Sequence, residues 1–222
     1  SADDLVGYWR NDGVTTWLDK ANTGVASFDG TDDYIDSGNA FQTTLRSNFS
    51  WSTWVNVTDG DEGNYQVLFG ARNADESDWI QTDLYNGTIR FVYKANGNTI
   101  VSTSSAVLSN GRTGWKHLTF TADGSNMVTY LNGSAIKTTS MSGVTMSEYT
   151  SADEIWIGAR DMNNTAQLFY DGLMSGTNIF NTALSATEVS ELYAIDKRSS
   201  ISGFSQFSNC VASWLMGAGT GD

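Results

Sequence analysis

The chain predicts an all-β fold, an antiparallel β-sandwich of jelly-roll type with two sheets and one short C-terminal helix. Three observations carry that expectation. Short segments alternate apolar and polar side chains, Gly-containing turns recur between them, and charged helix-forming residues are sparse. Only 17% of the 222 residues are charged, while 12% are aromatic, with eight Trp and 22 Gly. Large rings give a β core much of its buried area, and a chain of this length suffices for one such domain. Proline is absent, which leaves Gly, Asn and Asp to shape the turns.

Each element has its own signal. "FSWSTWVNV" puts Phe49, Trp51, Thr53, Val55 and Val57 on one strand face and Ser50, Ser52 and Asn56 on the other, where Trp54 breaks the polar pattern. "DLYNGTIRFVY" is a hairpin whose Asn86-Gly87 suits the positive φ angles of a type I′ turn. "WKHLTFTADGSNMVTYLNGSAIK" predicts two more reversals, at Asp123-Gly124 and Asn132-Gly133. "EIWIGA" and "LFYDGLMSGTNIF" read as further strands. In "NTALSATEVSELY", Ser185 followed by Glu188 is a capping box, with Leu184 and Val189 placed as a hydrophobic staple. That helix should run to near Tyr193 and lay Val189 and Leu192 on the sandwich. The domain is therefore expected over residues 1–195. Residues 196–222 begin as a polar, Ser-rich stretch, and Val211 and Trp214 echo Val6 and Trp9. Two readings stay open for that segment: a linker with the start of a second module, or a strand returning toward the N-terminus.

The net charge of −13 argues against a nucleic-acid backbone or an anionic membrane as partner. No apolar run is long enough for a membrane helix, and the first ten residues, "SADDLVGYWR", lack the basic start and apolar core of a leader. One cysteine, Cys210, leaves no internal disulfide. An extracellular or virion-surface location fits this acidic, Ser/Thr/Asn-rich surface, and self-association into a homo-oligomer is compatible with it.

Taken in order, "ASFDGTDDYID", "FSWSTWVNV", "QVLFGA", "GWKHLTFTADGSNMVTYLNGSAI", "EIWIGA" and "YDGLMSGTNIFNTALSATEVSELY" resemble the concanavalin A-like laminin-G and pentraxin group of jelly rolls. The resemblance runs from about Leu5 to Tyr193. It implies one convex and one concave sheet and, for most members, a non-catalytic role in binding sugars, proteins or calcium, or in structure. It also implies that the aspartate-rich stretch is a strand, a turn and a strand. Asp29-Gly30 and Asp32-Asp33 would flank the reversal and accept backbone N–H groups, with Phe28 and Tyr34 or Ile35 in the core. A cation there, shared with Asp171, is the lesser reading.

By the same resemblance, calcium would sit between the loops after "VLFGA" and "EIWIGA". Asp75, Asp78, Asp161 and Asn163 are the expected ligands, and Glu76, Asn164 and Trp79 the ligand-binding neighbours. Two converging loops suit an ion that takes many oxygens. The second loop departs from the pentraxin pattern, with one acid and a cation at Arg160. Trp17, Tyr65, Tyr85 and Tyr149 also fall in or beside turns where a ring could stack on a sugar, and Trp79 is preferred because it adjoins the acidic loop.

Catalysis is not expected. Retaining glucanase chemistry on this fold uses carboxylates aligned on one strand face, commonly as E-x-D-x-E, and no such triplet occurs. Asp153 and Glu154 are adjacent and point to opposite faces. His117, the single histidine, lies in a strand as a structural residue, and one His with one Cys does not make a zinc site. "MGAGTGD" lacks the lysine of a phosphate loop. The expected function is a non-catalytic binding or structural module, of phage decoration, fibre or adhesin type. It would recognise glycan or a neighbouring surface or virion protein. An accessory carbohydrate-binding domain of a secreted polysaccharide-degrading enzyme is the alternative.

Overall fold

The alternating segments form fifteen strands in the computed structural model, which describes residues 24–162, 165–197 and 199–216. In chain order they begin with β1 (Ala26–Asp29), β2 (Ile35–Asp36), β3 (Phe49–Val57), β4 (Gln66–Arg72) and β5 (Trp79–Tyr85). Next come β6 (Thr88–Ala95), β7 (Asn98–Thr103), β8 (Lys116–Ala122), β9 (Asn126–Leu131) and β10 (Ser134–Ser140). The last are β11 (Trp156–Ile157), β12 (Arg160–Met162), β13 (Ala166–Gln167), β14 (Asp171–Phe180) and β15 (Cys210–Trp214). Helix α1 (Gln42–Leu45) is a single turn, and α2 (Ala186–Ala194) follows β14.

Seven strands make one sheet in the order β1-β14-β3-β8-β9-β10, with β15 also paired to β14. Eight make the other, β13-β12-β4-β5-β6-β7, extended by β11 on β4 and β2 on β11. Almost all pairs are antiparallel; β12 runs parallel to β4. The apolar face of β3 enters the space between the sheets as the alternation predicts. Phe49, Trp51, Val55 and Val57 are fully buried there, and Trp51 stacks on Phe120 of its own sheet and on Phe69 of the other.

The opposite face of β3 is not a water-facing surface. Ser50 and Ser52 are buried, and Ser50 Oγ donates to the Thr182 carbonyl and accepts from the Leu184 amide. A second apolar cluster covers this side, built from Tyr130, Phe180, Leu184, Val189, Leu192, Ile201 and Phe204. Trp54, which interrupts the polar pattern of β3, stacks on Tyr193 of α2 and packs against His117. Burial pushes His117 down to about 3, so it stays neutral. The capping box of α2 forms as its sequence predicts: the Glu188 amide donates to Ser185 Oγ, and the Ser185 amide donates to Glu188 Oε2.

The C-terminal strand shares an edge with the N-terminal one. β1 pairs with residues 171–174 of β14, and β15 pairs with residues 177–180 of the same strand. Val6, Trp9 and Trp17 lie outside the described residues.

The turns divide by chemistry. Asn86-Gly87 and Asn132-Gly133 both carry positive φ at each residue, as a type I′ hairpin needs, and Asn96-Gly97 makes a third such turn. At Asp123-Gly124 the glycine alone is left-handed. There the Asp123 carboxylate closes the loop by accepting from the Ser125 and Asn126 amides, at 2.7 and 2.6 Å.

Candidate functional site

Of the stretches that the resemblance assigns to calcium, the described part of the second is strand β12, which runs parallel to β4 with Asp161 opposite Ala71 and Met162 opposite Arg72, at the rim where β4 ends. The side chains are differently employed. Asp75 is exposed and accepts from the Ser77 amide, a turn bond that holds its carboxyl below the usual range. Glu76 sits in a left-handed conformation and pairs with Arg72. Asp78 is buried, and its two oxygens accept from the Asn96 amide at 3.0 Å and from the Thr150 hydroxyl and amide at 2.9 and 3.3 Å. Asp161 is buried beside the core residue Ala71. Asp78 is therefore a latch joining three segments, and Asp75, Asp78 and Asp161 do not form a close carboxylate group. Asn163 and Asn164 lie outside the described residues.

Trp79 is similarly committed. The Arg72 and Arg160 guanidiniums lie 4.8 and 5.3 Å from its ring centroid, and its Nε1 donates to Gln81. Guanidiniums hold a ring face by cation–π attraction, which leaves Trp79 poorly placed to stack on a sugar. Tyr149 is fully buried against Tyr93.

At the opposite end of β4 and β5 the structure opens a cleft of about 640 Å³. Its walls come from the β1–β2 turn, the loop entering β4, the end of β5 and the segment entering β14. Tyr65 and Tyr85 stack at 4.4 Å to form an aromatic wall beside Phe169, and Tyr65 is 38% exposed. Asp29, Glu62 and Asp171 supply carboxylates. Buried Gln66 organises the floor: its Nε2 donates to Glu62 Oε2 at 3.0 Å, and its Oε1 accepts from the Asp171 amide at 3.0 Å. Asn64 donates to the other Glu62 oxygen at 3.1 Å. Gly30 is left-handed at φ 76°, and a Cβ there would come within 3.0 Å of Asp171 Cβ, so the narrow approach of these two walls requires glycine.

Behind the aromatic wall lies a charged pair. Arg90 sits over Tyr65 at 4.6 Å and reaches Asp83 Oδ1 at 3.3 Å, an ion pair whose geometry makes no hydrogen bond. Burial outweighs the pull of Arg90, Gln81 and Arg160 and pushes Asp83 up to about 6. The raised value means that the folded chain keeps a proton where the unfolded chain has lost it. This contribution to stability is present at low pH and fades as pH rises through about 6. Between pH 5 and 7.5 the wild type should lose stability on the order of 1 kcal/mol through this group. Urea titrations at both pH values check it: the Asp83→Asn chain should lack that share of the difference.

Among the described residues, the close group of carboxylates is Asp29, Asp32 and Asp33, whose oxygens come within 4.8 Å of one another. Asp29 Oδ1 accepts from the Thr31 amide and Asp33 Oδ2 from the Asp29 amide, so two of the three close their own turn. Burial, then the neighbouring Asp29 and Asp32 charges, raise Asp33, against one amide bond that lowers it. All three stand on one turn. Hydrolysis of a glycoside needs carboxylates flanking the scissile bond from two sides, and this turn presents them from one.

Tyr65 and Tyr85 were within reach of sequence reasoning as ring-bearing turn residues. Their meeting with Asp29, Glu62 and Asp171 was not, because those residues come from separate stretches of chain.

No curated protein matches the chain in sequence. Solved structures match its fold. The receptor binding domain of botulinum neurotoxin mosaic serotype C/D aligns with a TM-score of 0.58 at 15% identity, covering 76% of this chain and 41% of that one. The chain thus spans less than half of the toxin domain. The CBM40 of a Ruminococcus gnavus IT-sialidase aligns at 0.57 and 14% identity over 70% of this chain and 88% of its own. Domain 4 of an extracellular arabinanase from Geobacillus stearothermophilus aligns at 0.56 and 20% identity, over 76% of each. The Laminin_G_3 family model, described as the concanavalin A-like lectin/glucanases superfamily, matches residues 29–190. That match covers most of the chain, from β2 through β14 and into α2, so the protein belongs to the concanavalin A-like lectin/glucanases superfamily as a laminin G-like jelly roll.

Proposed function

We propose that the chain is a non-catalytic glycan-binding module of an extracellular or virion-surface protein, and that the sugar enters the cleft beside Tyr65 and Tyr85. The observation that carries this reading is the pairing of an aromatic wall with fixed carboxylate acceptors around one open concavity. Sugar rings present C–H faces to aromatic rings and hydroxyl donors to their rims, and charge-assisted bonds to carboxylates are strong ones. Two neighbours of the same fold support it. The Ruminococcus gnavus module was solved with α2,3-sialyllactose and the arabinanase domain with arabinotriose. Among the described residues no helix is long and apolar enough to cross a membrane.

A second setting is favoured by the same two neighbours, which are parts of glycan-degrading enzymes: an accessory domain that holds a polysaccharide near a catalytic partner. Both settings use one cleft and are separated by what the native chain is attached to. The shared claim is tested by titration with oligosaccharides. Tyr65→Ala should weaken any bound sugar by about tenfold or more, the ~1–3 kcal/mol typical of a lost stacking platform. The ring is partly exposed, so the melting midpoint should move little. Unchanged affinity in Tyr65→Ala would remove the cleft from the account.

A further inference from the structure

Resting on the reading of the cleft as a glycan site, we infer that it selects neutral, hydroxyl-rich oligosaccharides and turns away glycans bearing carboxylate or sulfate groups. The polar lining is one-sided in charge. Asp29, Glu62 and Asp171 all face the cleft, and no Lys or Arg is among the described residues that line it. Glu62 is fixed for accepting, since Asn64 and Gln66 each hold one of its oxygens at 3.1 and 3.0 Å. A carboxylate oxygen so held keeps lone-pair capacity for a sugar hydroxyl. Arg90, the guanidinium that reaches the aromatic wall, is engaged by Asp83 at 3.3 Å and lies over Tyr65. It is thus spent behind the wall. The chain as a whole adds a repulsive field of net charge −13.

An anionic sugar in this cleft would bring like charges within a few ångströms of three carboxylates. At the effective dielectric of a protein rim that repulsion lowers affinity by about tenfold or more. Salt screens it. A neutral sugar gains the same hydroxyl bonds without the repulsion, and its affinity should be nearly independent of salt.

The test is a binding comparison between neutral arabino-, xylo- and cello-oligosaccharides and two anionic probes, sialyllactose and oligogalacturonate. It is run with the wild-type chain, with Tyr65→Ala and with a Glu62→Gln, Asp171→Asn double variant, at about 0.01 M and 1 M salt. The expected result is Tyr65-dependent binding of at least one neutral probe, with both anionic probes about tenfold or more weaker at low salt. That gap should narrow at high salt and in the double variant. Anionic probes that bind as tightly as neutral ones at low salt, with loss in Tyr65→Ala, would overturn the charge selectivity and leave the glycan site standing. A gap that survives the double variant also overturns it. If no probe shows Tyr65-dependent binding, the glycan reading itself fails and the selectivity falls with it. Tyr65→Phe, which keeps the ring, separates lost stacking from misfolding.

Discussion

Asp78→Ala is expected to destabilise the fold by about 1–3 kcal/mol, because a buried carboxylate that ties two other segments to its own is lost, while Asn96 and Thr150 are exposed and water can take up their freed donors. Three donors depend on this side chain: the Asn96 amide, the Thr150 amide and the Thr150 hydroxyl. Asp78 stands just before β5, Asn96 opens the turn between β6 and β7, and Thr150 follows the 3-10 turn at Met146–Glu148. Removing the carboxylate thus frees two connections at once. Asp78→Asn should be intermediate, because its amide group keeps a single acceptor oxygen. Urea unfolding reads both, and the loss should be equal in calcium and in chelator. A loss that appears only when calcium is present would make Asp78 a metal ligand after all, by mass action on the folded state.

Trp51→Ala should cost more, roughly 3–5 kcal/mol, the range for deleting a large buried ring. Trp51 is fully buried and stacks at 5.1 Å on Phe120, its cross-strand partner, and at 4.6 Å on Phe69 of the facing sheet. Its loss opens a void where the two sheets meet, and close packing leaves nothing nearby to fill it. Trp51→Phe should retain much of the stability. The indole Nε1 is buried without a hydrogen-bond partner, so replacing it removes an unmet donor along with some contact area. Chemical denaturation of the three chains gives the comparison, and Trp51→Ala within 1 kcal/mol of wild type, roughly the size of a surface change, would show that the sheets are held elsewhere.

The fold was legible where a local pattern and its tertiary consequence coincide. β3 reads correctly from alternation because one face enters the core in full. The capping box of α2 reads correctly because Ser185 and Glu188 bond each other, with no distant partner needed. The Asn-Gly turns read correctly because the left-handed backbone is a property of those two residues. Trp54 marks the boundary of this kind of reasoning. It breaks the polar face of β3, and the reason lies outside the strand: α2 and the chain that follows it, including Ile201 and Phe204, cover that side.

The rim was harder, since acidic residues in a loop look alike before their partners are known. Asp75 and Asp78 stand three positions apart, yet one is exposed on its own turn and the other is buried in bonds to residues 96 and 150. Trp79 attracted attention by sitting next to them, but Arg72 and Arg160, from two other strands, reach its ring. The cleft draws on residues from 29 to 171, joined through Gln66, whose side chain bonds Glu62 nearby in sequence and the Asp171 amide far along it. Nothing local in "GNYQVLFG" distinguishes that glutamine from any other strand residue.

The most direct test of the cleft is a map of amide and aromatic chemical-shift changes while a neutral oligosaccharide is titrated into the isotope-labelled chain. Saturating shifts should centre on Tyr65, Tyr85, Phe169 and the Gly30–Asp171 approach, with the rim at residues 73–79 undisturbed. Shifts centred on that rim, or a bound sugar that leaves Tyr65 and Tyr85 unmoved, would contradict the account.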